Sequence, residues 1–432
     1  MSIGAGILNP VYADRMPARE ATPSLEEAEA LALALGLDVA FKQTVRLRTI
    51  KGATLFGSGQ CELLGSEIRS RDLSVVVVNG TITAVQQRNL ERSWGIKVID
   101  RTGLILEIFA NRAKTREGVL QVKLAQLEYQ RSRLVRRWTH LERQRGALGF
   151  VGGSGETQIE ADRRAIDEQI IRTNRKLQTV KRTRRLHRKA RKAVPYPVVA
   201  LVGYTNAGKS TLFNRLTGAD AFAADALFAT LDPTLRALSL PSGMQIVVSD
   251  TVGFISDLPT QLVAAFRATL EEVSDADLIL HLRDYIHPEF DRQAQSVDAI
   301  LGELGVGPED SNRVIQVWNK IDRLTVDARR EMLDRNCPDR TSFPVSATTG
   351  EGIGALLKEL DARLRSDEQT AVLRLSYRDG EKRAWLFNEN VVQEESAGND
   401  GMELTVRWTH VQASRYQSLF GEDFAEDAAA SM

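Results

Sequence analysis

Eight consecutive residues, Gly203-Tyr204-Thr205-Asn206-Ala207-Gly208-Lys209-Ser210, carry the glycine, lysine and hydroxyl spacing of a phosphate cradle, G-x-x-x-x-G-K-S. The chemistry is charge capture by backbone. Glycines let successive N–H groups point at one β-phosphate, Lys209 reaches the β- and γ-phosphates, Ser210 offers its hydroxyl to Mg2+, and Thr211 follows in the helix. The motif sits between the strand-like run Val198 to Val202 and a helix-like stretch from Ser210 to Asn214, the setting it requires.

Three further segments follow in order. Asp250-Thr251-Val252-Gly253 closes the apolar run Met244 to Val248, which puts a carboxylate at a strand end to hold Mg2+ through water and offers the Gly253 N–H to a γ-phosphate. Asn319-Lys320-Ile321-Asp322 closes Arg313 to Trp318. The Asp322 carboxylate can accept from the N1–H and 2-amino group of guanine, which adenine cannot supply. Ser346-Ala347-Thr348 is placed for the Ala347 N–H to meet guanine O6. Together the four segments read as a GTP-hydrolysing domain.

Between the phosphate loop and Asp250, Phe228-Ala229-Thr230-Leu231-Asp232-Pro233-Thr234 offers two threonines for Mg2+ and the γ-phosphate. Thr230 is preferred, because a strand around Leu235 to Leu240 must fit before Asp250. Lys209, Thr230 and Gly253 are then the catalytic set. Phe254 stands where many small GTPases carry a water-orienting glutamine, so unassisted turnover is expected on the order of 10⁻⁴ to 10⁻² s⁻¹. Asn206 is either a K+ ligand or a structural residue bonded within its loop.

The elements that must position these groups form a multi-domain α/β chain. At its centre is a P-loop GTPase domain with a mostly parallel sheet and helices on both faces, over 195–366. A flexible tail is expected over 1–24, an α/β domain over 25–113, a helical hairpin over 114–194 and a small α/β domain over 367–432. In the N-terminal domain Leu25 to Leu35 reads as helix; Leu73 to Val78, Lys97 to Asp100 and Leu104 to Phe109 read as strands; Gly57-Ser58-Gly59 reads as a loop. The C-terminal domain reads as strand (Ala371 to Ser376), helix (Glu381 to Val392), strand (Glu403 to Trp408) and helix (Val411 to Phe420).

The hairpin rests on two seams spaced alternately four and three: Leu120, Leu124, Leu127, Arg131, Leu134, Trp138 and Leu141, then Ile159, Arg163, Ile166, Ile170, Thr173, Leu177 and Val180. The break from Gly146 to Gly155 holds five glycines and is read as non-helical. From Arg172 to Lys192 there are eleven Lys or Arg and no acid. That uncompensated stretch fits a nucleic-acid phosphate surface, with Arg182, Arg184, Arg185 and Arg188 as RNA-contact candidates; a solvated face is the alternative.

Composition excludes several classes. Lys+Arg and Asp+Glu balance at 57 each, so it is the distribution of charge that points to a partner. No apolar run approaches the ~18 residues of a membrane span. The first 24 residues lack a signal-peptide stretch, so cytoplasm is expected. Cys61 and Cys337 stand far apart without His or Cys neighbours, against a disulfide framework or a zinc site. His281, Asp284 and His287 are read as a strand end and its loop rather than a metal cluster.

A basic hairpin ahead of Gly-Tyr-Thr-Asn-Ala-Gly-Lys-Ser, then Phe-Ala-Thr-Leu-Asp-Pro-Thr, Asp-Thr-Val-Gly-Phe-Ile and Ala-Phe-Arg-Ala-Thr-Leu-Glu-Glu (265–272), resembles the HflX family of ribosome-associated GTPases over nearly the whole chain. Gln86-Gln87-Arg88-Asn89-Leu90-Glu91, Asp100-Arg101-Thr102 and the 155–164 segment resemble that family too. The tip at 149–155 lacks the Arg-Gly-Pro element of other members. A monomer that takes GTP and GDP is expected; the resemblance implies that it binds the large ribosomal subunit and its RNA and splits stalled or idle ribosomes under stress. It also implies ATP hydrolysis in the N-terminal region, although 1–113 show no ATP motif. Alternatives are a GTPase that assembles the large subunit and a GTP-gated adaptor of a membrane or protease complex.

Overall fold

The computed structural model describes residues 3–12, 18–144, 154–191, 196–218, 228, 234–255, 272–307, 312–336, 342–365, 368–389, 391–398 and 401–420. The N-terminal unit runs β1 (Ile3–Tyr12), α1 (Ala18–Ala34), β2 (Leu37–Leu47), α2 (Ser58–Ser70), β3 (Val75–Val78), α3 (Ala84–Trp94), β4 (Lys97–Asp100) and α4 (Arg101–Arg112). Its sheet is parallel, in the order β2-β1-β3-β4.

Three expectations are corrected here. Ile3–Tyr12 is not a flexible tail but an inner strand, because Ala5, Ile7 and Leu8 carry enough apolar surface to be fully buried. Leu104 to Phe109 is helix, not strand. Asp100 caps it, accepting from the Gly103 N–H at 2.8 Å. The helix is apolar nearly all round because its several faces are covered, which erases the polar stripe a surface helix shows. Ser58 and Gly59, read as loop, open α2 behind the Gly57 cap.

Helices α5 (Arg116–Gln144) and α6 (Ser154–Arg191) pack side by side as a hairpin, and Arg131 pairs with Asp167 at 3.3 Å. On α6 the expected seam is buried at Ile170, Thr173 and Leu177. Gly155 lies inside α6 rather than in the break, whose remaining residues fall almost wholly outside the described ones. At its base α5 also buries Val122 and Ala125, a second face turned to the N-terminal core.

The GTPase domain runs β5 (Val198–Gly203), α7 (Lys209–Thr217), β6 (Thr234–Ser239), β7 (Gln245–Asp250), β8 (Leu278–Asp284), α8 (Phe290–Glu303), β9 (Val314–Asn319), α9 (Val326–Asn336), β10 (Ser342–Pro344) and α10 (Ile353–Leu364). Strand order is β10-β9-β8-β5-β7-β6, parallel except for β6 against β7. Alternation along β5 feeds two cores. Val199 and Leu201 join α7 and α10 residues such as Phe213 and Leu356, while Ala200 and Val202 join Val297 and Leu301 of α8. That second core is continuous with α1 and α4 of the N-terminal domain.

The C-terminal unit is β11 (Glu368–Leu375), α11 (Gly380–Asn388), β12 (Val392–Ala397), β13 (Met402–Thr409) and α12 (His410–Phe420), an antiparallel sheet in the order β11-β13-β12. The expected helix to Val392 stops at Asn388. Gln393, Glu394 and Glu395 hide the strand that follows, since β12 lies at a solvent-facing sheet edge and needs little apolar surface.

Candidate nucleotide site

The loop after β5 lies at the centre of the sheet, between β8 and β7. Gly208 has φ +94°, and a Cβ there would sit 2.2 Å from Asn319 Nδ2. Glycine is required on both counts. Asn319 Nδ2 donates to the Ala207 carbonyl at 2.8 Å, tying the end of β9 to the loop. Lys209 is 6% exposed and donates from Nζ to the carbonyls of Gly203 (3.1 Å) and Tyr204 (2.8 Å). An ammonium has three donors, so a third is left for a phosphate. Burial pulls its pKa down to about 8, with Asp250 acting in the opposite direction. The Ser210 hydroxyl donates to Asp250 Oδ2 at 2.8 Å. Thr251 turns inward, its hydroxyl donating to the Leu201 carbonyl at 2.5 Å.

At the far end of the sheet Asn319, Lys320, Ile321 and Asp322 meet Ser346, Ala347 and Thr348. Lys320 has φ +67° and pairs with Asp284 at 2.8 Å, a partner that sequence spacing did not show. Asp322 is exposed and accepts from the Ser346 hydroxyl at 2.7 Å, which leaves its second oxygen for a base. The sequence places the Ala347 N–H as a donor to guanine O6. In the structure it donates to Asn319 Oδ1 at 3.0 Å, because a buried amide side chain must find partners. Guanine O6 would have to share that donor. His281 lies within β8, 3.3 Å from Asp298, and burial lowers its pKa; the His287 ring accepts from the Glu289 N–H at 3.1 Å.

Ala229, Thr230, Leu231 and Asp232 lie outside the described residues. Phe228 is buried, its ring 4.6 Å from that of Phe109 on α4, edge to face. Such a pair adds about 0.5–1.5 kcal/mol beyond its buried area. After Asp250 the chain turns back to the phosphate loop. The Phe254 N–H donates to the Gly203 carbonyl at 3.1 Å, and the Thr205 N–H donates to the Phe254 carbonyl at 2.7 Å. Gly253 is thereby pressed so close that a Cβ would lie 3.0 Å from Lys209 Nζ.

The Phe254 side chain, 3% exposed, belongs to the same core as Ile105, Phe109, Tyr204, Phe228 and Ile255. It serves packing, not water. Phe254→Gln is therefore expected to leave kcat unraised and to cost about 1–3 kcal/mol, the penalty of an unpartnered buried amide. Phosphate-release assays and thermal melts check both; a tenfold rise in kcat would show that this side chain reaches the phosphates.

Two residues that the sequence shows only as motif letters, Asp100 and Gln87, have structural tasks. Asp100, 1% exposed, accepts from the Tyr129 hydroxyl and from Arg133 Nη2, each at 2.5 Å, while Arg133 also donates to Gln87 Oε1. Burial and the neighbouring carboxylate push the Tyr129 phenol well up from its ordinary range. This knot fixes α5, and with it the hairpin, to β4 and α4. Arg182 is exposed on α6, and Arg184, Arg185 and Arg188 follow on the same helix.

Family models match in sequence along the chain: GTP-binding GTPase N-terminal over 22–110, GTP-binding GTPase Middle Region over 112–191, 50S ribosome-binding GTPase over 198–320, and HflX C-terminal domain over 331–428. A GTPase HflX of Magnetococcus marinus is 51% identical over 91% of this chain and 90% of its own. The chain belongs to the HflX family of GTPases. The Escherichia coli GTPase HflX is 41% identical over 89% of each chain. Among solved structures, one titled crystal structure of SsGBP and GDP complex aligns over 83% of this chain and 97% of that one, with TM-score 0.49 and 23% identity. As an HflX-family member this chain is a GTP-hydrolysing enzyme with a ribosome-binding type of GTPase domain. Among the described residues no helix is long and apolar enough to cross a membrane.

Proposed function

We propose that this HflX-family GTPase is a GTP-gated factor that binds the large ribosomal subunit and splits stalled or idle ribosomes. The observation that carries this reading is the shared core: Phe228 and Phe254, which flank the γ-phosphate elements, are packed with α4, whose Asp100 cap is tied to α5 of the basic hairpin. A change at the γ-phosphate therefore has a packed route to the arm that carries the charge.

In this reading the loop 203–210 wraps the β-phosphate, Lys209 bridges to the γ-phosphate, and Asp322 selects guanine. The donor set suits Mg2+: the Ser210 hydroxyl and Asp250 carboxylate are hard oxygen donors 2.8 Å apart, Thr230 would add a third oxygen, and Asp250 would act through water. When bound, the ion neutralises charge on the β- and γ-oxygens. Thr230 and Gly253 close on the γ-phosphate, and hydrolysis removes what they hold, releasing the ordered state. Asn206, with φ +61° at the rim of the loop, is the K+ ligand in this proposal, compensating for the apolar Phe254. In the GTP state the basic helix reaches ribosomal RNA.

Reversing charge at Arg182, Arg184, Arg185 and Arg188 tests the reading. Affinity for large subunits should fall about tenfold or more, and the slope of log K against log salt should flatten by up to about four units, near one per phosphate contact. Intrinsic GTP hydrolysis should be unchanged. Equal binding by mutant and wild type at low and high salt would make the hairpin a solvated arm.

A further inference from the structure

The phosphate loop is tied to the N-terminal domain by one hydrogen-bonded chain. Tyr204 is 6% exposed, and its hydroxyl donates to the carboxylate of Glu27 on α1. The other Glu27 oxygen accepts from Arg101 Nη2 at 2.8 Å, and Arg101 Nη1 donates to Asn79 Oδ1 at 2.9 Å. Asn79 Nδ2 in turn donates to Asn9 Oδ1 at 3.0 Å and to the Ser24 carbonyl at 3.1 Å. The chain thus ends on β1, in the N-terminal sheet, and on Ser24 within α1. Its other end is Tyr204, whose own carbonyl accepts from Lys209 Nζ at 2.8 Å.

Packing alone does not call for this arrangement. A phenylalanine would fill the same space as Tyr204, and a bare carboxylate beside a phosphate loop would repel a triphosphate. Arg101 cancels that charge, so the hydrogen bond remains without the repulsion. Beside this link, a cleft of about 160 Å³ separates α1 from the loop, lined by Glu26, Asn206, Asp284 and Gln293 among others. Beside that cleft the Tyr204–Glu27 bond adds a directional link to the packing of Tyr204 in the shared core.

We propose that Glu27 is a positioning residue of the GTP site: through the Tyr204 hydroxyl it fixes the loop carbonyl that holds Lys209 toward the phosphates. The N-terminal domain then completes a nucleotide site otherwise built by the GTPase domain. The inference rests on reading residues 203–210 as the GTP site. Because the tether holds the loop alike in ground and transition states, it acts on binding rather than on the chemical step.

The experiment uses the full-length protein with Tyr204→Phe, Glu27→Gln, the double variant and Lys209→Ala. GTP affinity is measured by titration, together with kcat at saturating GTP and the melting temperature. Tyr204→Phe should weaken GTP binding about three- to tenfold, the scale of one lost hydrogen bond, with kcat within about twofold and a melting temperature lowered by no more than a few degrees. Glu27→Gln should weaken binding to a similar extent, and in the Tyr204→Phe background it should add nothing, since both act through one contact. Wild-type GTP affinity in Tyr204→Phe, with binding lost in Lys209→Ala, would overturn the proposal while sparing the site. Additive losses in the double variant would overturn it too. Wild-type binding by Lys209→Ala would instead sink the site itself. Should Glu27→Gln melt early, the isosteric Tyr204→Phe decides alone.

Discussion

Lys209→Ala is expected to weaken GTP binding at least tenfold, because it removes a charge-assisted contact worth about 1.5–3 kcal/mol. The structure adds a second expectation that separates function from folding. Lys209 is buried, and its pKa is drawn down to about 8 by desolvation, so the folded protein holds fewer protons than the unfolded chain between about 8 and the ordinary lysine value. By linkage, the charged ammonium costs stability below that window, and the cost fades as pH rises through it. The nucleotide-free alanine variant should therefore melt no lower than wild type at neutral pH while failing to gain the stabilisation that GTP gives the wild type. Nucleotide titration and melts with and without GTP test both halves. Wild-type affinity in the variant would mean that another loop takes the phosphates.

Asp322→Asn should produce the other large effect, a change of base rather than a plain loss. Two hydrogen bonds from guanine to a carboxylate, at about 1.5–3 kcal/mol each, put the fall in GTP affinity at about a hundredfold or more. Xanthosine triphosphate, which presents the complementary donor and acceptor pattern, should bind the variant better than GTP does. Asp322 is exposed, and an asparagine oxygen can still accept from Ser346, so the fold should persist. Competition binding with the two nucleotides reads the outcome, and unchanged GTP preference would remove Asp322 from the base site.

The parts of this site legible in the sequence are those written in adjacent letters. Gly208 and Lys209 are fixed by a strand, a turn and a helix within a dozen residues, and the hairpin seam at Ile170, Thr173 and Leu177 shows through its own period. Contacts between distant segments left no such trace. Glu27 and Tyr204 are separated by 177 residues, and only the fold makes them neighbours. Asp100-Arg101-Thr102 was visible as a family-like string whose task could not be read: Asp100 caps α4 and holds α5, and Arg101 neutralises Glu27. Leu104 to Phe109 looks like a strand in sequence because a helix buried on several sides loses the polar positions by which helices are recognised. Phe254 could be read as the absence of a glutamine. Its role, anchoring the turn after Gly253 in a core shared with Phe109 and Phe228, required the third dimension.

Separation of ribosomal subunits by this protein with GTP is measured by adding it to intact ribosomes and following their dissociation by light scattering and gradient sedimentation. Conversion to free subunits is expected with GTP or a non-hydrolysable analogue, with the protein on the large subunit, and little conversion with GDP. Intact ribosomes persisting under every nucleotide, while the protein still sediments with free large subunits, would contradict the proposed splitting.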